Sequence, residues 1–231
     1  MSDTPAYRVA PGADISPDAT IGRGSAIWHL AQVREGAALG TDCIVGRGAY
    51  IGSGVTMGHG CKVQNHALVY EPATLADGVF VGPAAVFTND HFPRAVNPDL
   101  TAKSAADWEP VGVTCEVGSS IGARAVCVAP VTIGAWAMVA AGATVVKDVP
   151  PHALVAGVPA RRIGWVGRAG QKLVPAADGT DSWVCPATGE WYVPDDSTGG
   201  LLLASAPQAD APRPAALDRT EDPDAQDGPA A

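Results

Sequence analysis

Residues 15–87, broken every six positions, read ISPDAT IGRGSA IWHLAQ VREGAA LGTDCI VGRGAY IGSGVT MGHGCK VQNHAL VYEPAT LADGVF VGPAAV F. Each hexad begins with a large apolar residue: Ile15, Ile21, Ile27, Val33, Leu39, Val45, Ile51, Met57, Val63, Val69, Leu75, Val81 and Phe87. With about half of an average chain apolar, chance gives such a run on the order of once in ten thousand. Four positions after each of the first twelve stands a small or slim residue, from Ala19 and Ser25 through Cys43 and Cys61 to Ala85. Neither a helical period of 3.6 nor strand alternation makes this pattern. A six-residue period is that of a parallel β-helix.

Each hexad then supplies one short strand and one turn, and three hexads close a triangular coil. The large residue fills the prism interior and the slim one fits the corner. Coils stack at the usual strand spacing of roughly 4.8 Å. Glycine often follows the large residue, as at Gly22, Gly40, Gly46, Gly52, Gly58 and Gly82, where close backbone approach would exclude a side chain. Taking every third hexad predicts three interior stacks: Ile27, Val45, Val63 and Val81; Val33, Ile51, Val69 and Phe87; and Leu39, Met57 and Leu75.

Outward from this stretch, residues 1–13 read as a lead-in and the β-helix runs over 14–149. The register breaks at residues 88–114, a long loop holding Asn, Asp, His, Pro, Arg and Trp. A loop of that length in a compact domain is usually functional. The hexads resume at Cys115, Ile121, Cys127, Ile133, Val139 and Val145, giving about six coils in an all-β fold. Residues 150–170 should cap the open end, since a bare coil leaves unpaired backbone groups. Residues 171–203 read as a small β appendage. Residues 204–231, rich in Ala, Pro and Asp, read as a disordered acidic tail.

The net charge of −9 over 231 residues speaks against general nucleic-acid binding. No leader segment and no membrane-spanning run is visible, so a soluble, cytoplasmic protein is expected. The five cysteines form no CxxC motif; Cys43, Cys61, Cys115 and Cys127 fall in packing slots of the repeat, and no metal site is expected. A regular prism has no deep pocket. A site must form at the loop or between prisms, and three-fold closure is a natural way to make one.

The repeat with a late external loop, closed by VVKDVPPHALVAGVPARRIG over residues 145–164, resembles the left-handed β-helix (hexapeptide-repeat) acyltransferases. Within them, SAIWHLAQV, KVQNHALVYE and VFVGPAAVFTNDHFPRA resemble the WbpD/WlbB-type N-acetyltransferases. These act on the 3-amino group of a UDP-linked 2-acetamido-3-amino glucuronate. The resemblance implies a homotrimer that uses acetyl-CoA, with active sites between subunits. It also implies a zinc-ribbon-like tail. With Cys185 the only cysteine remaining there, the tail shape is expected without the metal.

By the same resemblance Asn89, at the end of the VFTN motif, is the candidate donor to the thioester or its oxyanion; an Asn there could instead cap a turn. His66 and His91 are candidate bases, although a departing thiolate could take the proton itself and either histidine could equally bind or face solvent. His29, Lys62, Gln64 and Asn65 are candidate contacts to the nucleotide sugar, and Arg94 suits a sugar carboxylate. Lys147, Arg161 and Arg162 suit the CoA phosphates, with Ala141 and Gly142 offering backbone to the pantetheine arm. An acceptor on a dTDP carrier and a non-sugar amine remain open. So does a γ-type carbonic anhydrase holding zinc with His59, His66 and His91, although these fall on different faces. A non-catalytic scaffold is disfavoured by the polar loop.

Overall fold

A computed structural model describes residues 6–177 and 179–205. Its repeat region is three walls of parallel strands of two to four residues. The first wall stacks Arg8–Val9, Ala26–Ile27, Ile44–Val45, Lys62–Val63, Phe80–Val81, Ser120–Ile121, Met138–Val139 and Ala153–Ala156. The second stacks strands from Asp14–Ile15 to Thr144–Val145, and the third from Thr20–Ile21 to Val131–Ile133. The interior stacks are those the hexads predict: Val63 pairs with Val45 and Val81, Val69 with Ile51 and Phe87, and Leu75 with Met57. The first wall carries eight parallel rungs rather than six. Val9 extends the six-step register by one hexad before Ile15, and Val155 adds a rung beyond Val139.

The packing follows from side-chain size. Val33, Val45, Ile51, Val63, Val69 and Phe87 are buried to 1 % exposure or less, and so are the slim corner residues Ala31, Cys43, Ala49, Cys61 and Ala67. The backbone meets its hydrogen-bond requirement along the axis, as in Tyr50 N to Ala67 O at 2.9 Å and Gly52 N to Val69 O at 2.8 Å. At Gly40 an added Cβ would come 2.7 Å from the Gly58 carbonyl carbon, so the turn excludes every side chain.

Ala153–Ala156 pairs with Met138–Val139 and then reverses into antiparallel Arg161–Trp165, which covers the exposed edge of the first wall. An antiparallel sheet of Val174–Pro175, Trp183–Val184, Trp191–Asp195 and Gly200–Ala204 follows. Tyr192 and Leu201 are buried. Cys185 is buried beside Gly167, where an added Cβ would lie 3.4 Å from the Cys185 Cβ and 3.0 Å from the Tyr192 hydroxyl. Glu190 closes the two turns: its carboxylate accepts from the Tyr192 hydroxyl at 2.8 Å and the Thr188 hydroxyl at 3.1 Å. Most of the segment read as a disordered tail, residues 206–231, lies outside the described residues.

Candidate active site

Three edges join the walls, and the candidate residues divide among them. The edge from second to third wall carries the long excursion. Phe87 ends the second wall in the core. The Thr88 hydroxyl accepts from Ala129 N at 3.0 Å, and the Asn89 carbonyl accepts from Val111 N at 3.0 Å. The second bond pins the two ends of the loop together and the first ties its start to the next coil, and Asn89 is half-buried at the root. Beyond it, Asp90 Oδ1 accepts from Phe92 N at 2.8 Å, and the chain folds back through Lys103 N to Ala95 O at 3.1 Å. Ser104 then caps the short 3-10 turn Ala105–Asp107. The Ser104 amide and hydroxyl both donate to Asp107, at 2.7 Å each, and hold its carboxyl below the usual range.

This folding leaves two adjoining hollows. One, about 510 Å³, is lined by Asp90, His91, Lys103, Asp107, Trp108 and Glu109 among others. The other, about 340 Å³, brings Arg94 against Asp90, Lys103 and Trp108. His91 packs edge-on to Phe92, ring centroids 4.3 Å apart, and both are exposed. Asn89 and His91 thus share one loop with Arg94.

The edge from first to second wall holds His29, Gln64, Asn65, His66, Ala141 and Gly142. Asn65 Oδ1 accepts from Arg47 N at 2.9 Å, so this side chain is a rung of the corner ladder. His66 has a left-handed backbone (φ 59°) and lays its ring over Gly48, where a Cβ would meet Nδ1 at 2.6 Å. His29 is exposed beside Trp28, and Lys62 points outward from the first wall. Within one chain, His66 is on a different edge from Asn89 and His91. The third edge holds His59, whose Nδ1 accepts from Thr41 N at 3.0 Å. His59, His66 and His91 therefore occupy three separate edges. Among the described residues no group of three His, Cys, Asp or Glu side chains could hold a metal ion.

Lys147 comes together with the adjacent Arg161 and Arg162, 14 and 15 positions on. They line a hollow of about 250 Å³ with Val146, Pro150 and Val155. Arg162 stacks on Trp165, its guanidinium carbon 4.2 Å from the ring centroid. Ala141 and Gly142 are not in that lining; Gly142 (φ 69°) faces open space on the first edge. A separate cavity of about 470 Å³ lies against Trp165 and Trp183 and contains none of the candidate residues. Lys103, Asp107, Trp108 and Glu109 are the residues of the returning arm that line the hollow and that sequence reasoning did not single out. Their only signal was the charged and aromatic run KSAADWE in the returning arm.

No family model matches the chain. Serine acetyltransferase of Escherichia coli (strain K12) is 39% identical over 90 residues, 38% of this chain and 32% of that protein. The dTDP-3-amino-3,6-dideoxy-α-D-galactopyranose 3-N-acetyltransferase of Aneurinibacillus thermoaerophilus is 50% identical over 56 residues, 24% of this chain and 29% of that protein. The chain thus spans about a third of the length of the curated relatives it matches. A hexapeptide-repeat acetyltransferase of Vibrio cholerae, solved with acetyl-CoA, aligns over 56% of this chain and 70% of its own, at 26% identity and a TM-score of 0.47. No helix among the described residues is long and apolar enough to cross a membrane. With its six-step register and its buried alternation of large and slim residues, the chain is a hexapeptide-repeat β-helix, and over the matched residues it is similar to acetyltransferases.

Proposed function

We propose that the chain is an acetyl-CoA-dependent N-acetyltransferase acting on the 3-amino group of a nucleotide-linked amino sugar of the UDP-amino-glucuronate type. One observation carries this reading. The loop offers two adjoining hollows of opposite character, sharing Asp90, Lys103 and Trp108. The larger one adds Asp107 and Glu109 and suits an ammonium group; the smaller adds Arg94 and suits a carboxylate. An amino-uronate carries both groups.

The chemistry asks little of the chain. A neutral amine attacks the thioester carbonyl, a C–N bond forms, the tetrahedral oxyanion collapses and the C–S bond breaks. The amine proton passes to His91 or to the departing thiolate. Asn89, at the loop root, would donate to the oxyanion, and fixed donors of this kind are worth more than a free one in water. Lys147, Arg161 and Arg162 would hold CoA phosphates. Because His66 sits on another edge from Asn89, its participation requires a neighbouring copy, and the proposed assembly is a homotrimer with sites between subunits.

The test is CoA release from acetyl-CoA against a panel of nucleotide-linked amino sugars, with light scattering to give the mass in solution. Selective turnover of UDP-amino-uronates by a trimer is expected. Equal rates with every amine would remove the sugar assignment, and a monomer with full activity would remove the shared site. The dTDP-linked reading has its own support in the 50% identity to a dTDP-amino-sugar acetyltransferase. In that case the acceptor has no carboxylate and Arg94→Ala leaves its KM unchanged.

A further inference from the structure

Three carboxylates face the larger hollow of the loop, and two of them are already engaged. Asp90 Oδ1 accepts from Phe92 N at 2.8 Å. Asp107 Oδ2 accepts from the amide and hydroxyl of Ser104 at 2.7 Å each. Among the described residues Glu109, alone of the three, makes no hydrogen bond and no ion pair, and Lys103 in the same lining is not within salt-bridge distance of it. It stands one residue past Trp108, whose ring supplies an apolar wall, and shares the hollow with His91. A free carboxylate, an imidazole and an indole around one space are a suitable receptor for a protonated amine. The carboxylate attracts the charge, the indole face favours a cation, and the imidazole can take the proton that must leave before attack.

We infer that Glu109 is the residue that binds the acceptor's ammonium group and presents it to His91. This rests on the N-acetyltransferase reading above. It adds a consequence that the reading does not contain. The acceptor arrives as a cation and leaves as a neutral amide, so Glu109 attracts the substrate and not the product. In the step, the ammonium gives one proton to the His91 imidazole. The free amine then forms the C–N bond as the C–S bond breaks, and the second amine proton leaves with the thiolate as CoA thiol.

The experiment compares wild type with Glu109→Gln and Glu109→Lys on the full chain, measuring the acceptor KM, the acetyl-CoA KM and the inhibition constant of the acetylated product. Because Glu109 is exposed, both variants should fold; circular dichroism checks this. A tenfold or larger rise in acceptor KM for Glu109→Gln is expected, larger for Glu109→Lys, with the product inhibition constant and acetyl-CoA KM within twofold of wild type. An unchanged acceptor KM would overturn the inference. So would a parallel rise in the product constant, which means lost shape rather than lost charge. A wild-type chain that releases CoA with no amine at all removes the N-acetyltransferase reading itself, and is told apart by failing before any variant is made.

Discussion

The imidazole of His152 lies edge-on to the ring of Tyr192, their centroids 4.9 Å apart at 64°. The two residues join the cap of the prism to the C-terminal sheet. His152 Nδ1 donates to the Val166 carbonyl at 2.9 Å, since a carbonyl can only accept. Tyr192 accepts from Arg168 N at 2.9 Å and donates to Glu190. The pair is buried, and burial is the main cause that holds the His152 pKa below its ordinary value, against the opposing pull of the Val166 carbonyl.

A pH dependence follows with a definite sign. In the window from the usual histidine value of 6.5 down to the lowered value in the fold, the unfolded chain binds a proton that the folded chain refuses. Stability at this site is therefore complete above that window and falls as the pH drops through it. Thermal unfolding should show a midpoint several degrees lower at pH 5.5 than at pH 7.5, and His152→Asn, which keeps a residue tolerant of the left-handed backbone there (φ 63°), should flatten that slope. An equally steep slope in the variant would assign it to other groups.

Two glycines with the same backbone separate strain from crowding. Gly118 and Gly54 have φ near 66° and 67°. An added Cβ at Gly118 would lie 2.6 Å from Cζ3 of Trp136, while at Gly54 it meets nothing within 4 Å. Gly54→Ala should cost about 1 kcal/mol, the price of a left-handed alanine. Gly118→Ala should cost about 2–4 kcal/mol, because Trp136 must also move. Chemical denaturation of the two variants measures the difference.

Asn89→Ala should lower kcat by about 10²–10³, the usual effect of removing one oxyanion donor, with the acceptor KM changed less than threefold. Steady-state kinetics decides this. Since the backbone carbonyl, not the side chain, accepts from Val111 N, the loop root should survive the substitution. Near-wild-type kcat would leave Asn89 a turn residue only.

At the cap, Lys147→Ala and Arg161→Ala should each raise the KM for acetyl-CoA roughly tenfold, as expected for one charged hydrogen bond. The effect should shrink with acetyl-dephospho-CoA, which lacks one phosphate. Both side chains are exposed, so melting temperature should stay within a degree or two. An undiminished effect on the dephospho substrate would point to packing rather than phosphate binding.

The column was legible in the chain because its determinant is local and periodic. Ile51 and Ala49 recur with their equivalents every six positions, and one register places them all. The two extra rungs, Val9 and Val155, obey the same spacing or its continuation, and were hidden by polar neighbours at one end and by Pro150–Pro151 at the other. The separation of His59, His66 and His91 onto different edges was likewise a matter of arithmetic. The loop was not legible beyond its existence. Nothing periodic tells that Val111 returns to Asn89, that Lys103 bonds Ala95, or that Glu109 and His91 line one hollow. The first two are single backbone hydrogen bonds between non-repeating segments. The clustering of Lys147, Arg161 and Arg162 at the column's end was legible from the closing segment, whereas the reversal after Ala156 that achieves it is not encoded by the hexads.

Across the third wall, Thr74 is matched with Thr114, 40 positions on, whereas vertical neighbours elsewhere, such as Ser25 and Cys43, are 18 apart. The excess of 22 residues is absorbed wholly outside the column, and the rungs above and below it meet as though nothing had been inserted. Scaffold and excursion are thus separable modules: a graft that exchanges the excursion for one of another length should leave the wall pairing in place. Under the proposed function, acceptor preference would then be set in this segment without touching the architecture that carries it.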